Sequence, residues 1–127
     1  MRKLEPFIVA ESATIKDAVL QIQNNHCRCV VVVRDGKKRT VAGVFSQGDI
    51  LRAMLDGVDI HTPLNRVISP SFRCIKSYDI EKAAEYIRDG LTLVPVVNNS
   101  YELKDVITFF DVMDGYCPKK DTPRPEC

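Results

Sequence analysis

The sequence predicts an α/β (α+β) protein in which one β-α-β-β-α unit is written twice and packed with pseudo-two-fold symmetry. Three observations carry this prediction. Two stretches with the same helical apolar spacing lie 65 residues apart, beginning near Ser12 and Ser77. Each is followed by a short, nearly continuous apolar run, a polar turn and a second apolar strand. Each second strand ends in a hydroxyl residue with an aspartate three positions on: Ser46 with Asp49, and Thr108 with Asp111.

The elements follow in order. In the first helix Ile15, Ala18, Val19 and Ile22 stand at i, i+3, i+4 and i+7; in the second, Ile80, Ala83, Ala84 and Ile87 do the same. One apolar stripe on each marks an amphipathic helix. Thr14 and Asp79 suit the N-cap, and Asp17 stands at the capping-box distance from Thr14. Asn24-Asn25 and Asp89-Gly90 end the helices, with Gly90 suited to a left-handed C′ position. Buried strands are expected over residues 27–33 and 91–97, and their hairpin partners over 40–45 and 103–107. The second hairpin turn looks three residues shorter, which takes the repeat offset from 65 to 62. Leading strands are expected at 7–9 and 72–75. Short helices follow, carrying Ile50, Leu51, Met54 and Leu55, or Val112 and Met113. Residues 1–58 thus form repeat 1, 59–69 a connector with a helix start at Pro63, and 70–116 repeat 2. Residues 117–127, with three prolines and no apolar period, read as a disordered tail. A unit this small does not bury its apolar face alone, so the pair is the minimal folding unit.

Composition narrows the function. Eighteen basic against 17 acidic residues leave no broad field to recruit nucleic acid or an anionic membrane. No apolar run approaches the roughly 20 residues that span a bilayer. No secretory h-region follows Met1-Arg2-Lys3, so a cytoplasmic location is expected. Five cysteines, an odd number without framework spacing, suit a reducing compartment. Cys27 and Cys29 share a strand face and read as small core residues rather than a metal site with His26. Arg34, Lys37, Lys38 and Arg39 read as a solvated hairpin tip. No nucleophile, base and orienter can be assembled around His26 and His61, and the Gly43 segment lacks the lysine of a P-loop. The expectation is a binding or regulatory module rather than an enzyme, with no metal.

Two readings of the hydroxyl-x-x-Asp junctions stand side by side. Both are capping boxes or close variants. Both also offer what a nucleotide needs: helix N–H groups for a phosphate and a short carboxylate for ribose hydroxyls. Their repetition after the same strand of a duplicated unit favours ligand contact in the first copy and leaves the two readings nearly balanced in the second. An adenine would need an apolar slot, with candidates Val9, Thr14, Cys74 and Asp79 before the helices and Cys29, Val30, Val94 and Pro95 on the middle strands.

These residues resemble a tandem pair of CBS domains, the Bateman module, over nearly the whole chain apart from the tail. The resemblance rests on the repeated unit, the Leu93-Val94-Pro95-Val96-Val97 stretch and the Gly-apolar-x-Ser/Thr-x-x-Asp segment. It implies two clefts between the repeats, binding of an adenosyl ligand (AMP, ADP, ATP or S-adenosylmethionine), and homodimers formed through helical faces. It implies that Asp49 and Asp111 hold ribose hydroxyls, with Ser46 and Thr108 near phosphate. Such modules also occur in front of sugar-nucleotide nucleotidyltransferases, so the resemblance implies either the regulatory front of such a fused or associated effector enzyme or a free-standing module. The chain departs from the pattern where Asp105 replaces the usual glycine and where Val30 stands opposite Pro95 in the alignment. Arg52, one turn after Asp49, could meet a phosphate, whereas its counterpart is Asp114. The first junction is therefore the better nucleotide site. The alternative is an oligomerisation or docking module with empty sites.

Overall fold

The computed structural model describes residues 2–36, 38–69 and 71–116. Repeat 1 contains β1 (Ile8–Ala10), α1 (Ile15–Asn25), β2 (Cys29–Val33), β3 (Val41–Ser46) and α2 (Gln47–Leu55). Repeat 2 contains α3 (Ile80–Arg88), β4 (Leu93–Val97), β5 (Leu103–Thr108) and α4 (Phe109–Tyr116). β2 lies between parallel β1 and antiparallel β3, while β4 pairs antiparallel with β5. The expected α/β class and the duplicated order are both present. The expected tail at 117–127 lies outside the described residues.

Alternation along the middle strands explains why neither repeat stands alone. Cys29, Val31 and Val33 of β2 pack with Leu93 and Val97 of β4 and Val106 of β5 in one core shared by both halves. Val30 and Val32 point the other way, onto Ile15, Ala18 and Ile22 of α1. Val94 and Val96 likewise meet Ala83 and Ala84 of α3. Two sheets thus face each other, each covered outside by its own helices, and the strands read as apolar throughout because both faces are buried. The hairpin tips are tied symmetrically: Val41 N–H donates to Tyr101 O at 2.8 Å and Leu103 N–H to Arg39 O at 3.0 Å.

Several boundaries move from expectation. The leading strand of repeat 1 is Ile8–Ala10, one residue later than expected. In repeat 2 it shrinks to a single parallel bridge between Ile75 and Val96. Ile75 N–H donates to Pro95 O and Val97 N–H donates to Ile75 O. The next rung of that ladder needs an N–H from residue 95, and proline has none. Register also corrects the alignment. Val31 pairs with Val44 and Pro95 with Val106, so Val31, not Val30, is the counterpart of Pro95. One residue of the offset is lost between helix and strand, and only two in the hairpin. Pro63 caps a 3-10 turn, Leu64–Arg66, in place of a full helix. Cys27 and Cys29 are both buried core, as expected; Cys29 is a free thiol, but Cys27 is disulfide-bonded, which goes against the reducing compartment expected from the cysteine count.

Candidate functional site

α2 begins where β3 ends because Ser46 is an N-cap with its own box. Ser46 Oγ accepts from Asp49 N–H at 3.3 Å, and Asp49 Oδ2 accepts from Ser46 N–H at 2.8 Å. Ser46 Oγ also donates to Asp49 Oδ2 at 3.0 Å. The other carboxylate oxygen, Oδ1, accepts from the Arg52 guanidinium one turn later. The Asp49 side chain remains 31% exposed and that of Arg52 69%.

An open cleft of about 390 Å³ runs beside this junction, between the repeats. Arg28, Ser46, Gln47 and Gly48 face Asp89, Gly90 and Thr92 across it. Ser46, rather than the Asp49 carboxylate folded behind it, forms the wall. Arg28 is the cation of this cleft, and the pattern of the sequence did not single it out. It is placed by a backbone device: His26 and Arg28 both adopt positive φ, 60° and 62°, between α1 and β2. Buried Asn25 holds that bend, donating to Pro6 O and Cys29 O and accepting from Cys27 N–H. Gln47 N–H then donates to Arg28 O at 2.9 Å, tying the bend to the start of α2. The available signal was position alone: an arginine directly before the strand that pairs with Ser46. Cys29, opposite Ser46, has its thiol pushed up to about 12 by burial and then by the Asp49 charge, so it is inert at neutral pH.

The second junction has the same cap and a different occupant. Thr108 Oγ1 accepts from Asp111 N–H at 3.2 Å, and Asp111 Oδ2 accepts from Thr108 N–H at 2.9 Å. Thr108 is fully buried. Arg2 reaches Asp111 with both prongs, Nη1 to Oδ2 and Nη2 to Oδ1, each at 2.7 Å. Burial works against the Asp111 charge, but Arg2 and Thr108 N–H outweigh it and hold the carboxyl below its ordinary range. The Arg2 guanidinium is correspondingly raised, first by its hydrogen bonds to Asp111.

The remaining site candidates lie elsewhere. Thr14 and Asp17 form the capping box of α1, with Ile15 N–H donating to Thr62 O. Asp17 is held below its ordinary range by the Thr14 N–H and hydroxyl. Asp79 caps α3 by accepting from Lys82 N–H at 3.1 Å. Cys74 is a half-buried free thiol against the shared core. Val30 and Val94 are fully buried core. The structure brings Ser46, Asp49 and Arg52 together, and separately Thr108 and Asp111; Thr14, Cys74 and Asp79 belong to neither cluster of bonds. Among the described residues, no buried polar side-chain atom lacks a partner, and no group of three metal-ligating side chains occurs. No helix among them is long and apolar enough to cross a membrane.

Comparison with known proteins agrees with this architecture. Residues 1–56 match the CBS domain family model. A CBS domain protein from Pyrobaculum aerophilum complexed with AMP has the same fold, with TM-score 0.72 at 25% identity, covering 87% of this chain and 85% of that one. The CBS domains of a transcriptional regulator from Streptococcus pneumoniae give TM-score 0.71 at 24% identity, over 89% and 92% of the two chains. In sequence, the chain is 29% identical over 105 residues to arabinose 5-phosphate isomerase GutQ of Escherichia coli O6:H1. That alignment takes in 81% of this chain and 32% of the isomerase, so the chain spans about a third of the length of this curated relative.

Proposed function

We propose, from the match of residues 1–56 to the CBS domain family model and the fold shared over 87% of the chain with a CBS domain protein, that this protein is a regulatory module binding an adenosyl ligand. The observation that carries the reading is the open inter-repeat cleft at the first junction. There a cation, a hydroxyl and the Gly48 N–H in the first turn of α2 converge, with a ribose-competent carboxylate one turn behind. A fold shared with an AMP complex supports the ligand class.

Ser46, Arg28 and the start of α2 would meet phosphate. Asp49, released from Arg52, would accept the ribose hydroxyls. An exposed i,i+3 ion pair contributes about 0–1 kcal/mol, so releasing Arg52 costs little, and it too can turn to phosphate. Thr14, Cys74 and Asp79 remain candidates for the base-binding margin, and Thr108 and Asp111 for a second, weaker cleft. Binding regulates only if it favours one arrangement of protomers over another. The homodimer expected for that role would use α1 and α2, where Leu20, Leu51, Met54 and Leu55 are exposed. A fused or associated enzyme, of which the isomerase relative is one example, would receive the signal.

Calorimetric titration with AMP tests this. Asp49→Ala should weaken binding by about 1.5–3 kcal/mol, or roughly tenfold to a hundredfold; unchanged affinity removes Asp49 from the site. The exposed apolar face also favours a second reading, a docking or oligomerisation module with empty sites. A melting panel of AMP, ADP, ATP, S-adenosylmethionine and a guanosine control separates the two. A ligand at about 100 times its Kd adds about 2.7 kcal/mol of stability, whereas an empty module melts identically in all five.

A further inference from the structure

We infer that Arg2 is a built-in stopper of the second junction, so the number of adenosyl ligands this chain takes is set by a residue near its start. This rests on the adenosyl reading above. A ribose diol and a guanidinium ask the same thing of a carboxylate: two acceptor oxygens side by side. At Asp111 both oxygens already accept from Arg2, and Oδ2 accepts Thr108 N–H as well. A diol cannot form its pair of hydrogen bonds until the fork leaves.

The fork is anchored by more than Asp111. Nη1 also donates to Val106 O at 3.0 Å, on the strand that leads into the junction. The guanidinium carbon lies 5.6 Å from the centre of the Phe7 ring, within cation–π range. Asp105 and Tyr78 lie close enough to act on the same charge. Phe7 is core, buried against Cys29 and Leu93, so the platform under Arg2 is rigid. Displacing Arg2 therefore breaks three charge-assisted hydrogen bonds and a ring contact, and it moves a stretch of chain 109 residues away in sequence. At the first junction the cation is Arg52 of the same helix, which needs only a side-chain rotation to leave. The stretch before repeat 2 lies over β3 differently, with Ser69 O and Ile68 against Gly43.

The test counts AMP molecules bound per chain at saturation, by calorimetry or equilibrium dialysis on the whole protein. Arg2→Ala should bind one equivalent more than the parent, and Asp111→Ala on top should remove that added equivalent. Should Arg2→Ala fail to fold, Arg2→Met keeps a stem over Phe7 and answers the same question. An unchanged count in a folded variant overturns the inference, even where the parent binds one Asp49-dependent equivalent as proposed. Conversely, an added Asp111-dependent equivalent on a parent that binds none supports the stopper and removes the first cleft from the reading. AMP bound by no variant overturns both.

Discussion

The two hydroxyl-x-x-Asp junctions share a sequence pattern, a cap geometry and a place in the fold, and they differ in who neutralises the aspartate. Asp49 is 31% exposed and paired with an arginine that is itself 69% exposed. Asp111 is 14% exposed and paired with an arginine only 31% exposed. The first pair is a surface contact of small net worth; the second is a partly desolvated, two-pronged bond whose loss strands a charge. A duplicated motif therefore does not give duplicated function. The cap is local and survives in both copies, whereas access is set by what the rest of the chain lays over it.

The largest difference should appear when each carboxylate is removed. Asp111→Ala loses the carboxylate that accepts Thr108 N–H, worth about 1 kcal/mol, and strands Arg2, for a total of about 2–3 kcal/mol in urea unfolding. Asp49→Ala should cost about 1 kcal/mol, the carboxylate half of its capping box alone. Equal losses would break the comparison. Acid sharpens it. Asp111 has its folded pKa depressed, so its contribution is fully present above the ordinary value of 3.8 and is lost as pH falls through the lower folded value. The stability gap between wild type and Asp111→Asn should therefore hold at neutral pH and narrow only below about pH 4. A gap that closes at near-neutral pH would point to another group.

Next in size is the third residue of each junction strand, three positions before the hydroxyl. Gly43 has no room for a side chain: a Cβ would sit 3.0 Å from Ser69 O and 3.4 Å from Ile68 Cδ1. Its counterpart, Asp105, sits half-buried and accepts from Val106 N–H. Gly43→Asp, which copies the second junction into the first, should cost about 1–2 kcal/mol by overpacking and by setting a carboxylate against a carbonyl. Asp105→Asn should change stability by less than about 0.5 kcal/mol. A neutral Gly43→Asp would mean that the connector is free to lift off β3.

These sites also mark how far sequence reasoning reached. The helices, the middle strands and all four caps were legible because periodicity and capping are local, and Ile15/Ala18/Ile22 or Thr14/Asp17 declare themselves within a few residues. The first junction was legible for the same reason. Arg28 was not, because its importance comes from a left-handed bend held by buried Asn25, which no residue type announces. Arg2 was not, because its partner is 109 residues away. The alignment slipped by one at Val30 and Val31 because helix-to-strand loops of unequal length leave no mark in an apolar run.

The smallest expected effect tests the remaining asymmetry, a three-stranded sheet in one half and two strands with a bridge in the other. If the missing N–H of Pro95 is what stops the third strand, Pro95→Val should restore a donor aimed at the chain near Arg73. The amide introduced by that substitution should become slow to exchange, as befits a ladder position rather than an edge. The stability change should stay under about 1 kcal/mol, since one net hydrogen bond of about 0.5–1.5 kcal/mol is set against the lost rigidity of proline, about 0.4–1 kcal/mol. Fast exchange of the new amide would place the cause in the connector before repeat 2 instead. Near-cancellation of the two terms is why this position can carry either residue in the two halves while the fold around it stays the same.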